Sequence, residues 1–227
     1  EELLQGYRMM QESFSVELVS WKDAVSLSKD LAECIRGRYH PDLVIAIGRG
    51  GYVPGRVVCD SLLITTLTTI KIEHWGEAAS CYGEAHIRYP LSVDVEGQDI
   101  LVIDDVTDTG KTLVTAREYL QSLRPGSIRT GVLHHKNTSM FTPDFYAKLV
   151  PDWHWIVYPW ALHEDLTGFV EKVMTRGSAT PGKIRSSLVK TYHMRPRMDD
   201  VLFAIRELVE RGRAEETGDG YRLKNHL

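Results

Sequence analysis

The sequence is poor in cysteine and lacks any long apolar stretch. Only three of its 227 residues are cysteine, an odd number without a Cys-x-x-Cys pair. This argues against a disulfide scaffold and favours a reduced, cytoplasmic setting. No run of about 18 apolar residues occurs, so we expect no membrane span. The first residues also lack the basic start and apolar centre of a secretory signal peptide. These absences predict a cytoplasmic globular protein.

A strong positive charge and two familiar nucleotide motifs are also missing. The net charge of −4 disfavours a surface dedicated to nucleic acid. Residues 110–112 look like the end of a Walker A loop, but Asp105 stands where its first Gly is required. Residues 48–50 begin like a dinucleotide fingerprint, whose last Gly would fall at Val53. P-loop ATP hydrolysis and Rossmann-type NAD binding therefore lose their main support.

The most informative stretch is residues 100–112. Four apolar residues predict a short buried strand of a parallel sheet, with Asp104 and Asp105 at its end. A turn rich in Thr and Gly then leads to a helix that begins near Leu113. Ligands of open α/β sheets bind beyond the carboxyl ends of the strands, and N–H groups at a helix start attract anions. The segment thus offers acids for hydroxyl groups or a metal and donors for a phosphate, which a phosphorylated sugar needs.

Strand and helix patterns alternate along most of the chain and predict an α/β fold. A mostly parallel sheet flanked by helices follows from this alternation. The predicted strands are 43–47, 63–72, 100–103, 128–134 and 155–158. Three helices are predicted in this part: one begins after Ser20, and the others cover 53–62 and 113–123. Residues 73–88 show no clear period and predict a long mobile loop or a loose hairpin.

The composition changes after Trp160. Residues 176–227 carry a positive balance of charge, whereas the rest of the chain is acidic. Thr180-Pro181 predicts a helix start, a second helix is expected to stop at Gly212, and Asp219-Gly220 predicts a hairpin. We therefore divide the chain into a domain of residues 1–175 and a small helical, winged-helix-like C-terminal module of residues 176–227.

Residues 100–112 resemble the phosphoribosyl pyrophosphate (PRPP) signature of the type I phosphoribosyltransferases. The one departure is Thr107, at a position that is usually aliphatic. The resemblance implies that family's fold, with Asp104 and Asp105 contacting the ribose hydroxyls and a hydrated Mg²⁺, through water or PRPP. It also implies a cradle for the 5′-phosphate, formed by Asp108, Thr109, Gly110, Lys111 and Thr112.

The same resemblance extends to the turn after the strand at 43–47. It implies that Gly48, Arg49, Gly50 and Gly51 bind the pyrophosphate of PRPP, with a non-proline cis bond at Gly48–Arg49. Glycines let the backbone approach an anion, and Arg49 adds a forked charged donor. The family's lid over PRPP would correspond to residues 73–88, in which Trp75 and Tyr82 are candidates for a role.

Two segments of the predicted base pocket, 133–136 and 155–160, resemble the 6-oxopurine branch of the family. Their sequence looks most like that of archaeal purine phosphoribosyltransferases. The resemblance implies that Asp108 also faces the purine N7 as general base or acid. Lys136 would donate to the purine O6, Trp155 would stack on the base, and the backbone at Ile156 would meet its edge. Relatives often carry an acid near position 161, where this chain has Ala161, so the choice among hypoxanthine, guanine and xanthine stays open.

Two functions follow from these patterns. The first is a purine salvage enzyme that moves the phosphoribosyl group of PRPP to a 6-oxopurine, with Mg²⁺ as cofactor, and we expect a homodimer or higher homo-oligomer. The alternative is a PRPP-responsive DNA-binding transcriptional regulator that uses the C-terminal module. Basic side chains of that module permit phosphate contacts: Arg195, Arg197, Arg206, Arg211 and Arg213. A regulator that senses PRPP needs no pocket for a purine base. The predicted base pocket therefore favours catalysis over nucleic-acid binding.

Overall fold

The computed structural model describes residues 14–74, 85–174 and 177–224. They form two compact units, one spanning Lys22–Trp153 and the other comprising the described parts of 1–21 and 154–227. The predicted boundary between residues 175 and 176 falls within the second unit, and the division into a domain and a C-terminal module stays a prediction. Across the described ranges, no helix is both long and apolar enough to span a membrane.

Ten strands and six helices are described. The strands are β1 (Val16–Leu18), β2 (Leu43–Gly48), β3 (Leu67–His74), β4 (Ala85–Tyr89), β5 (Asp99–Thr107), β6 (Ser127–Lys136), β7 (Phe145–Val150), β8 (Trp155–Val157), β9 (Ala214–Thr217) and β10 (Gly220–Leu223). The helices are α1 (Trp21–Ile35), α2 (Tyr52–Leu62), α3 (Lys111–Gln121), α4 (Leu162–Val173), α5 (Pro181–Tyr192) and α6 (Met198–Glu210).

The larger unit is built on a six-stranded sheet with the order β4-β3-β2-β5-β6-β7. All neighbouring strands are parallel except β3 and β4, which form an antiparallel pair. The predicted α/β fold with a mostly parallel sheet is therefore confirmed. Because β2 and β5 are adjacent and parallel, the turns that follow them emerge at the same edge of the sheet.

Side-chain alternation on β2 distributes helices over both faces of the sheet. Ile45 and Ile47 are buried in an apolar cluster that also contains Leu113 and Leu120 of α3. Ala46 points to the other face, where its Cβ lies against Gly55 of α2. All six residues of β2 are buried, as the continuous apolar run of a central parallel strand predicts.

Several predicted bounds of the sheet are wrong. The strand predicted at 100–103 extends to Thr107, because β6 continues to pair with it at Val106↔His134 and Thr107↔His135. Asp104 and Asp105 therefore lie within β5 rather than after it. Residues 73–88 were predicted as a long mobile loop or a loose hairpin. Their described ends are strand, since β3 runs to His74 and β4 begins at Ala85, and these two strands pair antiparallel as the hairpin alternative requires.

The last predicted strand, 155–158, is present as β8, but its predicted place in the main sheet is wrong. β8 does not join the six-stranded sheet but forms a parallel pair with β1, in the register Val16↔Trp155. The place beside β6 is taken by β7, which the sequence did not predict. β7 is an edge strand with an irregular burial pattern, so neither a continuous apolar run nor strict alternation marks it.

The smaller unit contains β1, β8, α4, α5, α6 and the antiparallel pair β9–β10. The C-terminal helices and the hairpin are confirmed, whereas α4 was not predicted. Thr180 caps α5, with its side chain accepting a hydrogen bond from the Lys183 N–H. An isolated bridge joins Ala179, which lies between α4 and α5, to Tyr221 of the hairpin. The resemblance to a winged helix stays a prediction.

Candidate active site

The turn after β2 contacts the acid pair on β5. An added Cβ at Gly50 would collide with Oδ2 of Asp105, and one at Gly51 would collide with the carbonyl oxygen of Ile103. Backbone atoms therefore require glycine at position 51, whereas a side chain at position 50 would force the Asp105 carboxylate to move. The peptide bond Gly48–Arg49 is cis, as the family resemblance implied. Gly48 itself lies against the Tyr52 hydroxyl at the start of α2.

Asp104 of the acid pair is held in an environment that opposes charge. Asp104 is 8% exposed, and its Oδ1 accepts a hydrogen bond of 2.9 Å from the Asp105 N–H. Burial, followed by the neighbouring charge of Asp105, raises the pKa of the Asp104 carboxyl well above its usual value. Two adjacent carboxylates of this kind call for a cation or hydroxyl donors beside them.

The turn between β5 and α3 forms an anion cradle. Gly110 has φ +87° at the N-cap of α3, and Lys111 begins the helix, so the first N–H groups of the helix face outward from this turn. Thr109 and Lys111 are exposed, whereas Thr112 is half-buried. This combination of a helix start, hydroxyl groups and a lysine suits a phosphate group.

The loop between β6 and β7 closes one side of that cradle. An added Cβ at Gly110 would lie 2.6 Å from Cβ of Phe141 and 2.8 Å from Oγ of Ser139. The Met140 N–H donates to the carbonyl oxygen of Thr109 at 3.2 Å. A positive φ and close packing both require glycine at position 110.

Lys136 and Asp108 form an ion pair at the same edge of the sheet. Lys136 ends β6, and its side chain is only 2% exposed, whereas that of Asp108 is 36% exposed. The Lys136 amino group donates to Oδ2 of Asp108 at 2.7 Å. A charged donor and a charged acceptor thus lie side by side, next to the phosphate cradle.

Trp153, which the sequence interpretation missed, contacts both members of this pair. Its indole N–H donates to Oδ1 of Asp108 at 3.1 Å, and Nζ of Lys136 lies 4.8 Å from the centre of its ring. The signal that could have found it is its place just after β7. Because β7 pairs with β6 up to Val150↔Lys136, residues following β7 emerge beside Lys136.

The predicted platform for the base lies in the other compact unit. Trp155 is on β8, half-buried against the apolar core of that unit, and its buried indole nitrogen has no hydrogen-bond partner among the described residues. Ile156 is 8% exposed. Their roles toward a purine stay predictions. The lid candidates Trp75 and Tyr82 lie outside the described residues.

Comparison with known proteins decides the family. Residues 17–165 match the phosphoribosyl transferase domain. The chain belongs to the phosphoribosyltransferase family. A xanthine-guanine phosphoribosyltransferase of Idiomarina loihiensis is 27% identical over 159 residues, which cover 70% of this chain and 92% of the relative. Another, of Nitratidesulfovibrio vulgaris, is 32% identical over 148 residues, covering 63% and 82%.

A solved phosphoribosyltransferase has the same fold. The purine phosphoribosyltransferase of Pyrococcus horikoshii superposes with a TM-score of 0.57 at 28% identity, covering 64% of this chain and 93% of its own. The phosphoribosyltransferase signature at 100–112 lies within the matched range of 17–165, whereas the C-terminal helices and hairpin lie outside it.

The named relatives are enzymes, and the alternative of a DNA-binding regulator finds no support among them. Ion pairs also engage part of the C-terminal basic surface. Arg197 pairs with Asp199, and Arg211 pairs with Glu207. Arg213 pairs with Glu171 of α4. Three of the five arginines named for phosphate contacts thus face an acid.

Proposed function

We propose that this phosphoribosyltransferase acts in purine salvage. It transfers the 5-phosphoribosyl group of PRPP to N9 of hypoxanthine, guanine or xanthine and releases pyrophosphate with a nucleoside 5′-monophosphate. The relatives named as xanthine-guanine and purine phosphoribosyltransferases support this choice of acceptor. The role of each residue below is part of the proposal.

The pair of Lys136 and Asp108, 2.7 Å apart, carries the proposal. A 6-oxopurine presents its O6 acceptor next to N7, which carries a proton in one tautomer. A buried ammonium group beside a carboxylate complements that edge, because Lys136 donates to O6 while Asp108 accepts from N7–H. Adenine carries an amino group at position 6, which would place a donor against the Lys136 donor.

The two turns are suited to opposite ends of PRPP. Gly48, Arg49, Gly50 and Gly51 bind the pyrophosphate, because their backbone amides and the Arg49 guanidinium supply donors to an anion. The cradle at residues 108–112 binds the 5′-phosphate at the start of α3. Asp104 and Asp105 precede the second turn, with Asp105 against Gly50 of the first, and accept hydrogen bonds from the ribose hydroxyls.

The acid pair also fits a magnesium ion. Mg²⁺ prefers oxygen ligands, keeps several waters and commonly binds through one or two carboxylates and substrate phosphates. Within the described ranges, no three His, Cys, Asp or Glu side chains group closely enough to hold a metal ion. In keeping with the family resemblance, Asp104 and Asp105 would hold the ion through water or PRPP. When bound, it neutralises charge that develops on the departing pyrophosphate.

The transfer forms the bond from purine N9 to C1′ and breaks the bond from C1′ to the pyrophosphate oxygen, which leaves with the bonding electrons. The purine loses its N7 proton as N9 attacks, and Asp108 accepts that proton. Lys136 stabilises the O6 side of the base as electron density shifts toward N9.

A PRPP-dependent assay across five bases tests the proposal. The purified protein is incubated with PRPP, Mg²⁺ and hypoxanthine, guanine, xanthine, adenine or uracil, and nucleoside monophosphate and pyrophosphate are measured together. We expect turnover with at least one 6-oxopurine and turnover at least about 100-fold lower with adenine and uracil. Equal use of adenine, or no PRPP-dependent product with any 6-oxopurine, contradicts the proposal.

A further inference from the structure

Trp153 holds the second oxygen of the carboxylate that Lys136 already engages. Oδ2 of Asp108 accepts from Lys136 at 2.7 Å, and Oδ1 accepts from the Trp153 indole N–H at 3.1 Å. A carboxylate held at both oxygens cannot turn about its last bond without losing one of these hydrogen bonds. The plane of the Asp108 carboxylate is therefore set by Trp153 as well as by Lys136.

The ring of Trp153 acts on Lys136 in a second way. The ammonium group lies 4.8 Å from the ring centre, within the range of a cation–π interaction. Lys136 is almost wholly buried, at 2% side-chain exposure, so its charge has lost nearly all contact with water. The Asp108 carboxylate and the electron-rich face of Trp153 together replace that water.

A tryptophan that only filled space in the core would require no partner for its N–H group or for the face of its ring. Trp153 follows the edge strand β7 and is half-buried rather than fully enclosed. Its one polar atom donates to the residue proposed to take the N7 proton, and its ring faces the residue proposed to donate to O6. Both contacts therefore involve side chains that are proposed to meet the reacting edge of the base.

We propose that Trp153 is a positioning residue for phosphoribosyl transfer, and this inference rests on the proposed function. Its N–H fixes the Asp108 carboxylate so that a lone pair stays directed at the purine N7–H. Its ring fixes the Lys136 ammonium so that the remaining N–H groups reach O6. Trp153 touches neither the purine nor PRPP in this role, and it acts through the two side chains that do.

Trp153→Phe separates the donor from the ring. The variant keeps an aromatic ring, although a smaller one, for Lys136 and removes the N–H to Asp108. We expect kcat to fall by about 10- to 100-fold, the range for losing one hydrogen bond to a charged group, while KM for PRPP stays within about twofold. Trp21→Phe, at an exposed tryptophan that begins α1, is the matched control and should keep wild-type kinetics.

The Asp108→Asn background distinguishes positioning from general structural support. If Trp153 acts through the carboxylate, Trp153→Phe should cause little further loss of kcat once Asp108 is replaced, because the effects of coupled residues do not add. A further loss of the same 10- to 100-fold size in that background overturns the proposal. So does an unchanged kcat for Trp153→Phe in the wild-type background.

Indole ¹⁵N–¹H spectroscopy tests the contact without any catalysis. The chain has five tryptophans, so the Trp153 signal is assigned by its loss in Trp153→Phe, and the other four indole signals serve as references. We expect Asp108→Ala to move the Trp153 signal more than the others, and an unmoved signal overturns the inference without any measurement of turnover. A wild-type protein inactive with every 6-oxopurine overturns the proposed function and this inference together. An active wild type with an unaffected Trp153→Phe overturns this inference alone.

Discussion

Nζ of Lys136 lies 2.7 Å from Oδ2 of Asp108, although 28 residues separate them along the chain. The contact forms because β5 and β6 are adjacent parallel strands, paired as far as Thr107↔His135. Each strand therefore delivers its next residue to the same edge of the sheet. A buried cation and a half-exposed anion result, and this pair is the feature of the site best suited to distinguish a 6-oxopurine from other bases.

Asp108→Asn should lose most of kcat and keep PRPP binding. The amide has nearly the same shape but accepts the N7 proton poorly, and the loss of a general base amounts to about 10²–10⁴-fold. Steady-state kinetics with a 6-oxopurine, together with PRPP titration, measure the two effects. Asp60→Asn, on an exposed surface of α2, is the control. Unchanged turnover in Asp108→Asn would refute its proposed role.

Lys136→Met should weaken the selection against 6-aminopurines. Methionine fills a similar volume but cannot donate to O6, so turnover with hypoxanthine falls while adenine no longer meets an opposing donor. We expect the ratio of kcat/KM for hypoxanthine over adenine to fall by about tenfold or more. Lys148→Met, on the exposed edge strand β7, controls for loss of a nearby lysine. An unchanged ratio in Lys136→Met would contradict this role of Lys136 and assign the discrimination between hypoxanthine and adenine to other groups.

Local patterns predicted the two turns of the site from the sequence. Gly48–Gly51 and residues 108–112 each follow a buried apolar strand, and glycine marks where the backbone must turn or approach another group. The parallel sheet then follows from the alternation of strands and helices. The helices of the C-terminal region were also predictable, because Pro181 and Gly212 mark a start and a stop.

Non-local contacts were beyond the reach of the sequence patterns. Trp153 meets Asp108 across 45 residues, and only the unpredicted edge strand β7 places it there. The pairing of β8 with β1 instead of the main sheet depends on a three-residue strand near residue 16, which is too short to give a periodic signal. Strand order and the ends of strands depend on which strands pair with each other. A local sequence pattern does not identify those pairing partners.

Gly50→Ala should impair PRPP binding. The added methyl group collides with the Asp105 carboxylate, so either the pyrophosphate turn or the acid pair must shift. We expect KM for PRPP to rise by about tenfold or more, because small misplacements in a binding turn are strongly felt. KM for the base, measured at saturating PRPP, should change less.

Gly168→Ala is the matched control for that substitution. Gly168 lies within α4, and an added Cβ meets nothing within 4 Å. The change should leave KM for PRPP unaltered and raise the free energy of unfolding by roughly 0.5–1 kcal/mol, since alanine suits a helix better than glycine. A wild-type KM for PRPP in Gly50→Ala would contradict the close approach between the first turn and Asp105.

Asp104→Asn should stabilise the substrate-free protein, and more so at higher pH. Folding raises the pKa of the Asp104 carboxyl, chiefly through burial and then through Asp105, so the folded state holds a proton that the unfolded state releases. Its contribution to stability is present below the unfolded pKa near 3.9 and is lost as pH rises toward the folded pKa. Asparagine keeps the oxygen that accepts from the Asp105 N–H and does not titrate. Urea unfolding of both proteins at pH 5 and pH 8, without Mg²⁺ or PRPP, should therefore show a larger advantage of Asp104→Asn at pH 8. An advantage that is equal at both pH values, or larger at pH 5, would contradict an Asp104 pKa that burial raises well above its usual value.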